Sequence, residues 1–429
     1  LQGIHIIRER QRFEQVEYIF KHALTQEVVY NGLLKKERKE IHERIGRVIE
    51  QLFHNRLSEF YETLSFHFKR GHSVERAVEY LMKSAEKSRK RYALDEADLH
   101  YKDAFDLLKE KSTESDEDSL LVIGLILKWA EIFHLRGSYR GLIDLLKPYE
   151  TLANSIDDKS RQSMFYGWFG LALASRDNLK EGYEYLLNSL NFAEKAKDTM
   201  ACGYVCSWLA LVCSELGLLD DAVFYGRRAE QASNSFKSDL ELYSIFANGL
   251  GTAFFYKGES EMHFEHAKLC FAFSEEYSDT RYLAWYHNST ACGNYLDGDF
   301  SSAIKHFQKS IQLSVDPIWD LRAKLLLGIS CLTEGQVSQA ESIFEEVIKY
   351  SDEFGVEIWG TSAQALRGLA LIAKGQLGEG VKITEKGLKV LLESGNRFRY
   401  ATAQFLIGNV YLQVAERSGP KSAAFFAKN

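Results

Sequence analysis

Apolar residues recur at helical spacing through most of this chain. In the segment 302–313, Ala303, Ile304 and Phe307 fall on one face, and lysine and glutamine residues occupy the positions between them. This spacing predicts an amphipathic helix. A second apolar-rich segment, 282–296, ends just before Gly298. The two segments predict a pair of helices joined by a tight turn.

The same turn returns along the chain at steps of 37 to 41 residues. Glycine takes the positive φ that the residue after a helix needs, without a steric penalty. A regular period of this length predicts a solenoid of stacked helical hairpins. The residues at the turn position are Gly137, Asp177, Gly217, Gly258, Gly298, Gly335 and Gly375.

Small residues flank each turn at fixed distances. A small residue lies seven positions before every turn, and another lies five positions after most of them. Small side chains let the two helices of a hairpin approach closely. The first set is Ala130, Gly170, Ala210, Gly251, Ala291, Gly328 and Gly368, and the second includes Ala222, Ala303, Ala340 and Gly380.

The motifs Gly298-Asp-Phe-Ser-Ser-Ala303-Ile-Lys-His-Phe307 and Gly335-Gln-Val-Ser-Gln-Ala340-Glu-Ser-Ile-Phe344 resemble the tetratricopeptide repeat (TPR). The resemblance implies an all-α, right-handed superhelical solenoid of nine or ten TPR-like helical hairpins. Two features depart from that family. The period is about 40 rather than about 34 residues, and the proline that usually ends the second helix is missing. Such units are similar to the sensor arms of signal-transduction ATPases.

The N-terminal segment carries a second resemblance. Residues 20–30, Phe-Lys-His-Ala-Leu-Thr-Gln-Glu-Val-Val-Tyr, and residues 40–46, Glu-Ile-His-Glu-Arg-Ile-Gly, resemble a stretch of bacterial signalling proteins. In those proteins it joins a STAND-type ATPase, often fused to a class III adenylate or guanylate cyclase, to a TPR arm. The resemblance implies that the ATPase or another effector would precede Leu1 and is not in this chain.

These patterns divide the chain into three regions. Residues 1–55 are interpreted as a helical segment at the end of an ATPase-associated module. Residues 56–117 are interpreted as irregular TPR-like helices, with Tyr92 in the place of a turn glycine. Residues 118–429 form the regular array. No polar capping repeat follows the last regular helix, so we expect the native chain to continue beyond Asn429.

Composition and charge narrow the classes of function. The net charge of −7, with both signs interspersed, argues against a nucleic-acid-binding surface, which would be basic. We saw no apolar run of the roughly 18 residues that a membrane span needs. The six cysteines include no C-x-x-C pair, and we interpret them as buried free thiols of a cytoplasmic protein.

The chain shows no recognisable catalytic, cofactor or metal motif. The nearest string to a P-loop, 375–382, has Val381 where the phosphate-binding lysine belongs, and it coincides with a repeat turn. His263 and His266 are three residues apart, with Glu261 and Glu265 nearby. We interpret them as two histidines on a solvated helix rather than as a metal site, which needs about four ligands.

The binding candidates come from equivalent positions of successive first helices. Asn248 and Asn288 are 40 residues apart, each ten before a turn glycine. The resemblance places first helices on the concave face, where an asparagine amide can bond both the N–H and C=O of an extended peptide. The alternative is that both asparagines only satisfy neighbouring helices. The groove candidates between Tyr204 and Arg322 are Tyr204, Asn248, Thr252, Phe255, Trp285, Asn288, Tyr295 and Arg322.

The sequence therefore predicts a sensor or regulatory arm without catalysis of its own. Its expected partners are a protein or peptide in the groove and, within the parent protein, the ATPase or effector domain. We expect no nucleic-acid, membrane or cofactor binding. Two alternatives stay open: a structural scaffold for self-assembly, and an enzyme fragment whose catalytic residues show no recognisable pattern.

Overall fold

The computed structural model describes residues 7–12, 15–110, 115–236, 240–278, 280–314 and 317–418. Its helices and strands pack as two compact units, residues 1–114 and 115–429. Each unit is described separately below.

The first unit begins with a β-hairpin. Strands β1 (Ile7–Arg12) and β2 (Gln15–Phe20) pair antiparallel, with Ile7 opposite Phe20. The interpretation of residues 1–55 as wholly helical is therefore wrong at its start. In the sequence, every second position of β2 is Val16, Tyr18 or Phe20. Two residues is the period of a strand, and β-branched and aromatic residues favour strands.

Five α-helices and a 3-10 helix (His54–Glu59) follow the hairpin in the described part of the first unit. Phe68 of α3 stacks on Tyr80 of α4 with ring centroids 5.6 Å apart, and Leu64 and Ala77 complete their buried cluster. Tyr92, in the turn between α4 and α5, has a φ of 59°, as its place in the repeat pattern predicts. The helices are α1 (Ala23–Gly32), α2 (Lys35–Leu52), α3 (Tyr61–Arg70), α4 (Val74–Lys90) and α5 (Leu94–Glu110).

The second unit consists of α-helices and short 3-10 turns over its described residues, so the predicted all-α helical-repeat solenoid is confirmed. Successive long helices pack as antiparallel neighbours joined by short turns. The helices are α6 (Asp116–Leu135), α7 (Tyr139–Leu146), α8 (Glu150–Ser155), α9 (Lys159–Ser175), α10 (Leu179–Ala196), α11 (Thr199–Leu216), α12 (Leu219–Ser233), α13 (Leu240–Lys257), α14 (Ser260–Tyr277), α15 (Thr280–Leu296), α16 (Phe300–Leu313), α17 (Pro317–Thr333), α18 (Val337–Phe354), α19 (Glu357–Ala373), α20 (Leu377–Glu393) and α21 (Arg397–Ser418).

The turn residues have the backbone conformation that their spacing predicts. All six glycines of the series have φ between 70° and 88°, and Asp177 has a φ of 59°. A second series, which the sequence pattern did not reveal, follows the second helices of hairpins. Its members Lys197, Ser278, Gly355 and Gly395 also have positive φ, although lysine and serine hold two of the four places.

The small residues on either side of the turns allow close helix crossings. A Cβ added at Gly170 of α9 would lie 2.8 Å from the carbonyl oxygen of Gly182 in α10. The same distance is 2.7 Å between Gly368 of α19 and Gly380 of α20. A side chain at any of these four positions would push the two backbones apart, so glycine fixes the spacing of these hairpins.

The superhelix of the second unit meets itself after five hairpins. Helix α9 contacts α19, and α11 contacts α21. Arg176 donates hydrogen bonds of 2.9 to 3.1 Å to Glu357, and Thr361 donates one of 2.7 Å to Asp177. The first helices α13, α15 and α17 lie between these contacts and face the interior of the turn.

Helix α11 (Thr199–Leu216) is long and apolar enough to cross a membrane, judged by length and composition, so our reading of the sequence missed it. Two thirds of its residues are buried against neighbouring helices. Its apolar character is therefore accounted for by its place in the core of the repeat stack.

Candidate functional site

The interior of the second unit contains a half-open cavity of about 300 Å³ between the first helices and α21. Its wall is mainly aromatic and aliphatic, with a few polar groups. The residues that line it are Phe255, Tyr256, Lys257, Gly258, Tyr295, Leu296, Arg322, Leu325, Leu326, Ile329, Trp359, Ser362, Leu366, Leu391, Phe398, Arg399, Thr402 and Ala403. We call it the apolar cavity.

Repeat geometry explains why aromatic residues meet there. Phe255 and Tyr295 are equivalent residues of α13 and α15, 40 positions apart, and their rings stack with centroids 5.7 Å apart. Tyr256 stacks on Phe398 of α21 at 3.6 Å. Helix α21 thus closes one side of the cavity that α13 and α15 open.

One wall of the apolar cavity carries a buried charge pair. Arg399 donates hydrogen bonds of 2.6 and 2.7 Å to Glu215, and Tyr256 donates one of 2.6 Å to the same carboxylate. The guanidinium of Arg399 also lies 3.9 Å from the ring centre of Trp359. Burial and the Glu215 charge raise the pKa of Tyr256, so the phenol stays protonated and remains a donor.

Arg322 brings a second positive charge to the interior. Its Nη1 donates a 3.3 Å hydrogen bond to Thr252, and its guanidinium lies 5.6 Å from the ring centre of Phe255. Its side chain also lines a second, smaller cavity of about 50 Å³. The residues around this second cavity are Asn248, Gly251, His263, His266, Trp285, Asn288, Ser289, Cys292 and Arg322. We call it the polar cavity.

The histidines of α14 lie inside the unit, so their interpretation as residues on a solvated helix is wrong. His263 is only 7 % exposed, and Nδ1 of His266 is 2.8 Å from Oγ of Ser289 in α15. Their neighbours Glu261 and Glu265 are exposed on the opposite face. Burial lowers the pKa of His266 to about 4, and burial with the nearby Arg322 charge lowers that of His263 to about 3. Both rings are therefore neutral near pH 7.

Six of the eight predicted groove residues line the two cavities, and a seventh, Thr252, is bonded to a lining residue. Asn248, Trp285, Asn288 and Arg322 line the polar cavity, and Phe255, Tyr295 and Arg322 line the apolar one. Thr252 accepts the hydrogen bond from Arg322. The eighth, Tyr204, lines neither, and its ring contacts Trp208 and Phe246.

The asparagines are less open than the groove hypothesis assumed. Asn288 is 9 % exposed and Asn248 is half-buried. The sequence reading also missed Trp359, Phe398 and Arg399 in the apolar cavity. The α21 residues follow Gly395 and lie beyond the last turn of the series, so their position relative to α13 was not predictable from the period.

Metal-ligand clusters and reactive thiols were sought among the described residues. No group of three or more His, Cys, Asp and Glu side chains in the described part of the chain could hold a metal ion. All six cysteines are free thiols, and burial raises the pKa of Cys206, Cys213 and Cys270 to about 12. Thiols with such a pKa are not activated nucleophiles. The site is suited to binding.

The described residues of the second unit define a TPR-like helical-repeat solenoid with interior cavities. No family model matches the chain. Among curated proteins it is similar to the uncharacterized protein R02095 of Rhizobium meliloti (strain 1021), with 32 % identity over 111 residues. That match covers 25 % of this chain and 10 % of the R02095 protein.

The folds of Rap and NprR are similar to that of this chain. The Rap protein complexed with Competence and Sporulation Factor has a TM-score of 0.60 at 15 % identity, covering 82 % of this chain and 96 % of that one. NprR in complex with its cognate peptide NprX has a TM-score of 0.50 at 15 % identity, covering 72 % and 86 %. The STAND protein with a tetratricopeptide repeat sensor from Pyrococcus horikoshii scores 0.41 at 15 % identity, covering 91 % and 64 %.

Proposed function

We propose that the second unit binds a peptide in the interior of its superhelix and serves as a regulatory arm of a larger signalling protein. The observation that carries this proposal is the apolar cavity of about 300 Å³, whose aromatic wall is interrupted by a few polar groups. A concave apolar site with few oriented polar groups is the usual form of a ligand site.

The lining offers the two kinds of contact that peptide recognition needs. Phe255, Tyr295 and Trp359 present aromatic surface for an apolar side chain, and aromatic residues in desolvated pockets carry much of the energy of binding. Ser362 and Thr402 offer hydroxyl groups to peptide backbone. Asn248, Asn288 and Trp285 line the adjoining polar cavity, and Thr252 accepts a hydrogen bond from Arg322. These four residues remain candidates for contacts with the same ligand.

Two similar structures support a peptide ligand. Rap was solved with Competence and Sporulation Factor, and NprR with its cognate peptide. The low identity makes this support one of fold, so the proposal depends on the cavity itself.

The place of this arm in a larger protein rests on other observations. The match to R02095 covers a tenth of that protein, and the N-terminal segment resembles the link between a STAND ATPase and a TPR arm. Leu24, Val28 and Leu34 on and beside α1 are exposed, which gives an apolar face for an intramolecular ATPase or effector domain. The six free cysteines fit a reducing, cytoplasmic compartment. A cyclase as effector follows only from the resemblance.

The test compares two phenylalanines of one helix. Phe398 faces the apolar cavity, whereas Phe405 is 69 % exposed. Peptides would be selected on the protein from a random hexapeptide pool, and the affinity of the best one measured by fluorescence anisotropy. Phe398→Ala should weaken binding about 10-fold or more, because a cavity anchor is lost. Phe405→Ala should leave it within about twofold.

A second variant separates binding from folding. Ala403→Phe fills the cavity without removing an existing side-chain contact. It should abolish peptide binding while circular dichroism keeps the helical signal. Equal loss of affinity in the Phe398 and Phe405 variants, or failure to select any peptide, would contradict the proposal.

A further inference from the structure

The polar cavity lies where the repeat pattern breaks. Five residues after the turn, the neighbouring hairpins carry a small residue such as Ala222, Ala303 or Ala340, but after Gly258 this place holds His263. The partner position, Gly251, is correspondingly open: a Cβ added there would meet no atom within 4 Å. In the hairpins of Gly170 and Gly368 backbone contact closes this space, whereas here it is left as a cavity.

Most of its lining surface is apolar, but its lining residues carry several polar groups and none of them is acidic. The lining residues described contribute amides, a hydroxyl, two imidazoles, an indole and the Arg322 guanidinium. Nε2 of His263 is buried and has no hydrogen-bond partner in the described part of the chain. An orphaned buried polar atom costs free energy, and a ligand group that pairs with it recovers that cost.

The polar and apolar cavities meet at two side chains. Arg322 lines both. Phe255, in the wall of the apolar cavity, contacts the ring of His263 edge-on at a centroid distance of 5.7 Å and lies beneath the Arg322 guanidinium. A ligand next to Arg322 could therefore place one end in each cavity.

We infer that the two cavities together bind a carboxylate attached to a bulky apolar group, with the carboxylate at Arg322 and His263 and the apolar group against Phe255 and Tyr295. This inference deepens the proposed function, on which it rests. It names the recognised part of the peptide as a free C-terminal carboxylate that follows an apolar residue.

The dimensions and chemistry agree with this ligand. A polar cavity of about 50 Å³ has room for a few water-sized groups, hence for a carboxylate. A guanidinium forms strong, directional hydrogen bonds with a carboxylate. The neutral imidazole of His263 can supply one further N–H donor through Nε2.

The experiment uses matched probes that differ only in the acidic group. The first pair is a hexapeptide pool ending in Leu, Phe or Trp, made once with a free C-terminus and once as the C-terminal amide. The second pair is 4-phenylbutyrate and 4-phenylbutanol, which test whether a small organic acid is the source of the carboxylate. Peptide affinity is measured by anisotropy, and binding of the small probes by ligand-observed NMR.

The wild-type protein should prefer the free acid to its neutral partner by about 10-fold or more, as expected for charge-assisted hydrogen bonds. Arg322→Gln should reduce this preference to about threefold or less while the affinity for the neutral partner changes little. Arg322→Lys should restore part of the preference for the acid.

His263→Phe, which keeps a ring at this position and removes the donor, should lower the preference for the acid about three- to tenfold. Arg227→Gln, at an exposed ion pair with Glu230, is the control and should keep the full preference.

The outcomes separate this inference from the proposed function. Peptides that bind equally as acid and amide would overturn the carboxylate site and leave peptide binding in place. Preference for 4-phenylbutyrate without any peptide binding would keep the carboxylate site and overturn the peptide function. An acid preference that survives Arg322→Gln, or no binding of either acid, would overturn the inference.

Discussion

Arg399 in α21 and Glu215 at the end of α11 form a buried ion pair across 184 positions of sequence. Two hydrogen bonds join them, and both side chains are less than a tenth exposed. The Glu215 charge raises the pKa of Arg399 against the opposing effect of burial. This pair joins helices five hairpins apart, and its Arg399 forms part of the apolar cavity wall.

Removing one member of this pair should be costly. Glu215→Ala leaves an uncompensated guanidinium in the interior, so the free energy of unfolding should fall by about 3–5 kcal/mol. Urea denaturation followed by circular dichroism measures this. Glu393→Ala breaks the exposed pair with Lys389 and should cost less than about 0.5 kcal/mol. Similar losses in both variants would show that the buried pair has no special role.

Asp177 should make the stability of the second unit depend on pH. Burial raises its pKa to about 6 from 3.8, although the hydrogen bond from Thr361 opposes the shift. The folded state then binds more protons than the unfolded state between pH 3.8 and 6. The contribution of Asp177 to the free energy of unfolding therefore falls as pH rises through that window. Asp177→Asn should be more stable than wild type by about 1–3 kcal/mol above pH 6, and the difference should shrink towards pH 4. A difference that does not vary with pH would contradict this.

Two partly buried histidines should act in the opposite direction. Burial lowers the pKa of His134 and of His266 to about 4. Their stabilising effect is complete above the ordinary value of 6.5 and is lost as pH falls towards 4. His266→Gln should therefore reduce the slope of unfolding free energy against pH, by at most about 1.4 kcal/mol per pH unit in this window. Urea titrations at several pH values provide the slope, and an unchanged slope would exclude a role for His266.

Two glycines of α20 should respond differently to the same substitution. A Cβ at Gly380 would lie 2.7 Å from the carbonyl oxygen of Gly368, whereas one at Gly378 would meet nothing within 4 Å. Gly380→Ala should lower the free energy of unfolding by about 1–3 kcal/mol, because the added methyl group overpacks the helix crossing. Gly378→Ala should be neutral or stabilising by up to about 1 kcal/mol, because alanine favours helix. Melting temperatures of the two variants decide the point.

The periodic part of the fold could be predicted from sequence because its causes repeat. Each turn needs a residue with positive φ, and Gly298 and Gly335 reveal this at the predicted places. Asp177 was visible as the residue that fills a gap in the glycine series. The structural reason for an aspartate at this turn was not visible in the sequence, because its hydrogen bond from Thr361 joins residues 184 positions apart.

The candidate site was predictable only in part. Equal spacing from the turns predicted that Phe255 and Tyr295 lie on the same face of the repeat, and in the structure their rings stack. The spacing did not say how deeply Asn288 is buried, because exposure depends on the neighbouring side chains. Nor did it locate His263, whose importance comes from replacing a small residue in one hairpin.

The meeting of α9 with α19 and of α11 with α21 changes how the second unit should unfold. An open repeat array behaves as a one-dimensional chain in which each unit depends only on its neighbours, and its ends can open separately. Here Arg399 cannot leave its place without exposing Glu215 on a helix five hairpins earlier. The loop of contacts therefore couples early and late hairpins, and slow amide hydrogen exchange should extend over both as one cooperative block rather than decline towards α21.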